Sequence, residues 1–270
     1  MPRGKPWLRN ELIIAMNLYC KLPFGQLDHR TRIIIEVAQR LGRTPSSLAM
    51  KLVNFASLDP VLQARGIQGL RGASKADRLI WQEFNTNWEQ LGEESEARFQ
   101  ELFENEIQEE YQTPAKNKAA NIKHIKIPKS QPHGSTEVEV TVKVRLKQNF
   151  FRQTVLANYN SRCCITGNPI PELLIASHIL PWGDYPEHRL NPHNGLCLAR
   201  THDAAFDKGL ITFDEDYRLV ISAYLESFLP NETLEREFVA YRRQQMRSPD
   251  KFRPNPDFLQ IHREEIFRGN

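Results

Sequence analysis

The stretch between Leu173 and Gly209 does most to narrow the folds open to this 270-residue chain. Two short apolar runs, LLIASHI at 173–179 and GLCLA at 195–199, have the length of strands rather than of core helices. The segment between them has the proline, glycine and asparagine content of a loop. THDAAFDKG at 201–209 then predicts a helix, because Thr201 can cap it and acidic residues suit a first turn. The stretch therefore predicts a strand, a loop, a strand and a helix.

Polar side chains collect at the ends of these predicted elements. Asp203 and Asp207 are four residues apart, so both lie on one face of the predicted helix, with His202 beside them. His178 ends the first predicted strand and could face this cluster. A neutral imidazole beside carboxylate oxygens suits metal-assisted hydrolysis of a phosphodiester. The imidazole would take a proton from water, while the cation polarises the phosphate.

The order of these residues resembles that of a known family of nucleases. His178, Asn194-Gly195 and the His202-Asp203 pair look like the three stations of the HNH (ββα-metal) endonucleases. The resemblance is closer to the restriction-endonuclease-like HNH subgroup and covers roughly residues 140–225. Elements of that subgroup's pattern occur here, in order, at Cys163–Gly167, His178–Trp182, Arg189–Leu198 and His202–Gly209.

The resemblance implies a role for each of these positions. His178 would activate the attacking water, and Asn194 would hold the loop that carries His178. Asp203 would bind a divalent cation with help from His202 or Asp207. The expected ion is Mg²⁺, and Mn²⁺, Ni²⁺ or Zn²⁺ would fit the same position.

The chain departs from the family pattern in front of the predicted base. Many HNH enzymes have an acidic residue or a histidine immediately before the base, whereas this chain has Ser177. A hydroxyl is a poor metal ligand, so the second protein ligand is left open among His202, Asp207 and His178 itself.

A second departure concerns cysteines. Other members have paired CxxC motifs, but this chain has adjacent Cys163 and Cys164 and a separate Cys197. A structural tetrahedral zinc site needs four ligands at paired spacings. We therefore expect no four-cysteine zinc site and interpret the cysteines as small buried residues.

The first part of the chain is basic and has the pattern of a helical domain. Residues 1–91 contain 13 lysines and arginines against 7 aspartates and glutamates, a net charge of about +6, which favours a polyanionic partner. The segments 28–42 and 43–60 predict two helices, with Gly42 ending the first and Thr44 capping the second. This is the pattern of a helix-turn-helix, in which the second helix enters the major groove of DNA.

Several polar residues are candidates for contacts with DNA. In the helix-turn-helix interpretation Ser46, Ser47 and Lys51 would face the bases and Arg43 a phosphate; the alternative is a helical bundle with a solvated basic face. The segment 64–84 begins with a loop rich in glycine and arginine, which is either a phosphate-binding loop or an ordinary surface loop. Further candidates, in that segment and in the C-terminal half, are Arg65, Arg71, Lys75, Arg78, Arg189 and Arg200.

Composition suggests the division of the chain. Residues 1–112 are predicted to form a helical, DNA-reading domain, 113–135 a linker rich in proline and lysine, and 136–270 the HNH domain. The alternating sequence TEVEVTVKVRL at 136–146 predicts a strand, and NFFRQTVLANYNSR at 149–162 an amphipathic helix. The predicted fold class is thus α+β, a helical domain joined by a linker to a ββα-metal nuclease domain.

These features predict a metal-dependent DNA endonuclease, specifically a bacterial restriction enzyme whose front domain recognises plain or modified DNA. Two alternatives stay open, a non-catalytic DNA-binding regulator with a degenerate HNH-like domain and a defence nuclease of low specificity. Neither an apolar run of about 20 residues nor a signal peptide is visible, so we expect a cytoplasmic protein. The expected partner is double-stranded DNA, and cleavage of both strands by one site per chain would favour a homodimer.

Overall fold

The computed structural model describes residues 5–67, 72–110 and 136–269, with side chains described for 5–67, 72–103 and 144–269. The linker predicted at 113–135 and the DNA-binding candidate Arg71 lie outside these ranges. Within them, none of the helices combines the length and the apolar character that crossing a membrane requires.

The first half of the chain is helical. Its helices are α1 (Arg9–Lys21), α2 (Arg32–Arg40), α3 (Pro45–Ala56), α4 (Pro60–Ala64), α5 (Lys75–Thr86) and α6 (Trp88–Glu110). Helix α1 is buried from Glu11 to Cys20 because other helices surround it, whereas its sequence predicts only one buried stripe. Its polar Asn17 is accommodated by hydrogen bonds of 3.0 Å to Ser95 Oγ and Glu96 Oε2 of α6.

The predicted helix, turn and helix at 28–60 are confirmed. Helix α2 ends before Gly42, which has a φ of +62° and so adopts a left-handed conformation that glycine tolerates. Thr44 caps α3 as predicted, its hydroxyl accepting a hydrogen bond of 3.2 Å from Ser47 N.

The strand predicted at 136–146 is wrong. The segment belongs to helix α7 (Thr136–Asn158), which also contains the amphipathic helix predicted at 149–162. In the second half of α7, Phe150, Phe151 and Val155 are buried in the core. A helix that is already formed lengthens by one hydrogen bond per added residue, so this packed half can outweigh the strand preference of alternating valines.

The C-terminal half adds two small antiparallel sheets. Strands β1 (Leu174–His178) and β2 (Gly195–Ala199) pair with each other, and α8 (Arg200–Asp207) packs against both. The predicted strand, loop, strand and helix are thus observed, although Ala199 rather than Thr201 is the N-cap of α8. The remaining elements are β3 (Ile211–Phe213), β4 (Leu219–Ile221), α9 (Ala223–Glu226), α10 (Glu232–Glu237) and α11 (Pro256–Glu265).

Lys251 joins the C-terminal half to the front helices. Its side chain is fully buried, and its ammonium group donates hydrogen bonds to the carbonyl oxygens of Tyr19, of Cys20 at 3.3 Å and of Leu22 at 2.8 Å. These carbonyls lie at the end of α1, where helix carbonyls lack partners and the helix dipole is negative. The adjacent Phe252 packs edge-on against Trp88, with ring centroids 5.4 Å apart. One hydrophobic core therefore runs through both halves of the chain.

We predict that Lys251→Met lowers the free energy of unfolding by about 2–4 kcal/mol, because it leaves three buried carbonyl groups without their donor. Urea unfolding of the full chain measures the change. The matched control is Lys75→Met at an exposed position of α5, where we expect a change within about 0.5 kcal/mol. Equal urea midpoints for Lys251→Met and the control would contradict the prediction.

Candidate active site

The two strands and α7 meet in close contact at Gly195. Gly195 pairs with His178 across the sheet, and a Cβ atom at Gly195 would lie only 2.4 Å from Val155 Cγ2 and 3.2 Å from Phe151 Cζ. The absence of a side chain thus lets α7 pack directly on the hairpin. As a result, the ring of Phe151 stacks on that of His178, with centroids 3.7 Å apart and an angle of 11° between the planes.

A single hydrogen bond determines which ring nitrogen of His178 carries the hydrogen. Its Nε2 lies 3.0 Å from the carbonyl oxygen of Arg189. Since a carbonyl can only accept, Nε2 carries the hydrogen and Nδ1 keeps its lone pair. Burial lowers the pKa of His178 to about 4, so the ring is neutral at pH 7. His178 can therefore accept a proton at Nδ1.

Asn194 is buried and ties together the loop between β1 and β2. Its side-chain oxygen accepts a hydrogen bond of 2.8 Å from Leu180 N. Its amide nitrogen donates to the carbonyl oxygens of Leu180 and His188, each at 3.2 Å. Leu180 follows β1 and His188 precedes Arg189, so Asn194 anchors the segment that provides the acceptor for His178.

Arg189 stabilises the same loop. Its Nε donates to the carbonyl oxygen of Trp182 at 2.8 Å, and its guanidinium carbon lies 5.2 Å from the centroid of the Trp182 ring. The structure thus gives this candidate DNA contact a second task, which is to hold the loop around His178.

Asp203 and Asp207 lie on α8 as predicted, Asp203 half-buried and Asp207 exposed. Desolvation raises the pKa of both carboxyl groups, and the charge of Asp203 raises that of Asp207 further. The hydroxyl of Ser177 is close enough to Asp203 to act in the opposite direction and lower its pKa. Since successive residues of a strand point to opposite faces, Ser177 faces α8 and His178 faces α7.

The groups around Asp203 fit a hard divalent cation. The charge of Asp203 raises the cost of ionising Asp207, and burial raises it for both carboxyl groups, which a cation would relieve. Ser177 Oγ is buried near Asp203, close enough to lower its pKa but without the geometry of a full hydrogen bond to a described residue. No group of three or more histidine, cysteine, aspartate or glutamate side chains suited to a metal occurs among the described residues. Two protein oxygens, completed by water and phosphate, are a set that Mg²⁺ accepts.

His202 makes contacts away from this pair. Its Nε2 lies 2.8 Å from the carbonyl oxygen of Glu237, and its ring packs against Phe238 and Tyr241. As placed, Nε2 is not free to bind a cation, and Nδ1 is buried. The structure therefore does not bring this candidate ligand to the carboxylates through Nε2.

Two of the residues predicted to face DNA are buried in ion pairs instead. The guanidinium of Arg43 lies 2.7 Å from Glu11 Oε2, with 6% of the side chain exposed. Lys51 Nζ lies 2.7 and 2.9 Å from the two carboxylate oxygens of Asp77. These contacts join the start of α1 to the turn between α2 and α3, and α3 to α5, so they stabilise the helical packing.

The other candidate DNA contacts differ in exposure. Arg65 donates to Asp250 Oδ1 at 2.8 Å and so links the two halves of the chain, while Ser47 is half-buried. Arg65 is nevertheless exposed, as are Ser46, Lys75, Arg78 and Arg200.

The cysteines are buried free thiols, as the sequence predicts. Burial raises the pKa of Cys20 and of Cys197 to about 12 in each case.

The Phe151 stack and the carbonyl acceptor for His178 have no signature in the sequence. Both arise from packing between segments that are distant along the chain.

His262 lies in helix α11, which packs near α8, and its ring is buried and hydrogen-bonded to a backbone carbonyl, as that of His178 is. It is buried, with Nε2 3.1 Å from the carbonyl oxygen of Phe206 and Nδ1 2.9 Å from Thr212 Oγ1. The carbonyl requires a hydrogen on Nε2, so the Thr212 hydroxyl donates to Nδ1. Protonation of Nδ1 would break that hydrogen bond.

We predict that His262 makes stability depend on pH. Burial lowers its folded pKa to about 4, against about 6.5 when unfolded, so its contribution is complete above pH 6.5 and is lost as the pH falls towards 4. Between pH 7.5 and pH 5 the wild type should lose about 2 kcal/mol through this group. His262→Gln cannot titrate and should lose correspondingly less between the same pH values. Equal losses in urea unfolding would exclude His262 as the cause.

The comparison with known proteins covers this region. Residues 163–214, which include β1, β2, α8 and β3, match the sequence model of an HNH endonuclease family. No curated protein sequence matches the chain. The match supports the predicted HNH resemblance and extends over the segment that contains His178, Asn194, Asp203 and Asp207. The match supports an HNH nuclease domain in the C-terminal half of the chain.

Proposed function

We propose that the chain is a metal-dependent DNA endonuclease, a bacterial restriction enzyme whose front helices contact plain or modified DNA. The proposal rests on His178, whose neutral ring is stacked on Phe151 and keeps a lone pair on Nδ1. The preceding residue of the strand, Ser177, faces Asp203. Both belong to the strand–strand–helix unit that matches the HNH family.

In this proposal each group has a distinct task. His178 Nδ1 accepts the proton of the attacking water, and its hydrogen bond to Arg189 keeps the required tautomer. Asn194 keeps that acceptor in place. Asp203 and Asp207 hold a divalent cation, which when bound stabilises charge on the phosphate. The phosphate would lie at the end of β1, with His178 on one side and the carboxylates on the other.

The front half supports DNA contact through its observed geometry. The α2–α3 pair has the element order of a helix-turn-helix, and Ser46 at the start of α3 is exposed. Lys75 and Arg78 are exposed on the first turn of α5. The shared core, together with the hydrogen bonds of Lys251 to the end of α1, would hold these groups at a constant position relative to the nuclease domain.

Ser177 favours a second candidate function. A hydroxyl where many family members have a metal ligand is a feature expected of a non-catalytic, DNA-binding descendant of a nuclease. Conversion of supercoiled plasmid to nicked or linear forms with Mg²⁺, and its loss with EDTA, would exclude that alternative. Comparison of modified and plain DNA would then separate a restriction enzyme from a defence nuclease of low specificity.

We predict that His178→Ala and His178→Gln reduce plasmid nicking with Mg²⁺ by at least about 100-fold, because neither side chain can accept the proton from water. Glutamine can still donate a hydrogen bond to the Arg189 carbonyl, so it tests chemistry separately from loop structure. DNA binding, measured by fluorescence anisotropy in EDTA, should stay unchanged for His178→Gln. Wild-type nicking rates in both variants would refute the role of His178.

We predict that Asp203→Asn weakens the binding of Mn²⁺ in the absence of DNA by at least about tenfold, since it removes a charged oxygen ligand. Isothermal titration measures the affinity. Asp184→Asn is the control, because Asp184 is exposed in the loop between β1 and β2 and should leave the affinity unchanged. An unaltered affinity in Asp203→Asn would show that this carboxylate does not hold the ion.

A further inference from the structure

A pocket of about 360 Å³ opens beside the start of α8, at residues other than Asp203, Asp207 and His178. The turn after Cys163 and Cys164 forms one wall, and the segment around α10 forms another. The lining residues that matter here are Asn168, Arg200, His202, Arg236, Glu237 and Tyr241.

The rim of this pocket is basic. Arg200 and Arg236 line it, and two more arginines lie against Gly167, the residue between the lining residues Thr166 and Asn168. Arg162 Nη1 lies 3.4 Å from the Gly167 carbonyl oxygen, and a Cβ atom at Gly167 would lie 2.7 Å from Arg247 Nε. The lining contains a single acidic side chain, that of Glu237, so arginines dominate the charge around the opening.

The two lining arginines have only weak contacts within the protein. Arg200 Nε lies 3.4 Å from the carbonyl oxygen of Glu172, and Arg236 Nε lies 3.4 Å from Glu237 Oε1. Both distances are beyond the usual range for N–H···O hydrogen bonds. Each guanidinium has five N–H donors in a planar arrangement that matches phosphate. Both arginines are exposed, and 70% of the Arg236 side chain is accessible.

Two further observations indicate a ligand. The N-cap of α8 is Ala199, which provides no side-chain acceptor for the first N–H groups of the helix, an arrangement that favours a bound anion. In addition His202, which is 1% exposed, lines the pocket, and its Nδ1 has no hydrogen-bond partner among the residues described. An unpaired buried acceptor costs free energy until a donor reaches it.

We infer that this pocket binds a nucleotide of the DNA strand next to the cleavage position, with its phosphate at Arg200 and Arg236. A small displacement of the buried His202 ring would let a base amino group or a water molecule supply the donor that Nδ1 lacks, and the Tyr241 ring offers an apolar contact. The inference rests on the proposed function and adds a second contact between the protein and the DNA strand, next to the one at the cleavage position. Arg200 precedes Asp203 by three residues on α8, so one strand could contact both positions.

The test is DNA binding by the full chain in EDTA, which separates it from cleavage. A labelled duplex is titrated with wild type and with the double variant Arg200→Gln/Arg236→Gln at several salt concentrations, and anisotropy is measured. We expect the double variant to bind about tenfold more weakly and the slope of log affinity against log salt to decrease by about 1 to 2. The control, Arg30→Gln/Arg268→Gln, removes the same charge from exposed positions outside the pocket lining.

The position of the contact is tested with duplexes that contain one neutral methylphosphonate, placed in turn at each phosphate. Wild type should lose affinity at one position near the cut, and the pocket variant should show no additional loss there. Equal losses in the pocket and control variants, or wild-type affinity in the pocket variant, would overturn the inference. If wild type binds DNA but does not cut it with Mg²⁺ or Mn²⁺, the nuclease proposal fails while the pocket is still tested.

Discussion

The close contact between α7 and the β1–β2 hairpin at Gly195 is the constraint on which the candidate site depends. Only a residue without a side chain lets Val155 and Phe151 approach the backbone at this point. That approach places the Phe151 ring on His178, excludes water from one face of the imidazole and lowers its pKa. Asn194, the residue before Gly195, anchors the loop that supplies the carbonyl acceptor for Nε2. Asn194 thus anchors the loop between β1 and β2, and Gly195 allows the close approach of α7.

The same helix connects the site to the rest of the molecule. Helix α7 packs against α1 and α6 on one side and against β1 and β2 on the other. Lys251 and Phe252 extend this connection from the C-terminal half, since they contact the end of α1 and the start of α6. A chemical site formed by one short strand and one short helix has few contacts of its own. Its rigidity therefore depends on a core to which the front helices contribute.

Much of the candidate site could be predicted because its signals are local. The strands, the loop and α8 follow from apolar run lengths and turn residues, and the spacing of Asp203 and Asp207 follows from the helical period. The segment 136–146 was assigned to a strand because its valines alternate, and that assignment is wrong because α7 is stabilised by packing further along the chain. The helix-turn-helix interpretation predicts that Lys51 faces the bases and Arg43 a phosphate, whereas both side chains are held in ion pairs. Their partners, Glu11 and Asp77, lie far away in sequence.

The sequence by itself therefore determined the order of elements from 163 to 214, the choice of His178, Asp203 and Asp207 as candidate site residues, and the resemblance to HNH endonucleases. Only the tertiary structure decided which nitrogen of His178 is free, that His202 bonds to Glu237, and that Arg200 and Arg236 line one pocket at the start of α8. The physical reason is the range of the interactions. Helical spacing and turn chemistry act between residues close in the chain, whereas stacking, burial and the choice of a hydrogen-bond partner depend on segments that meet only after folding.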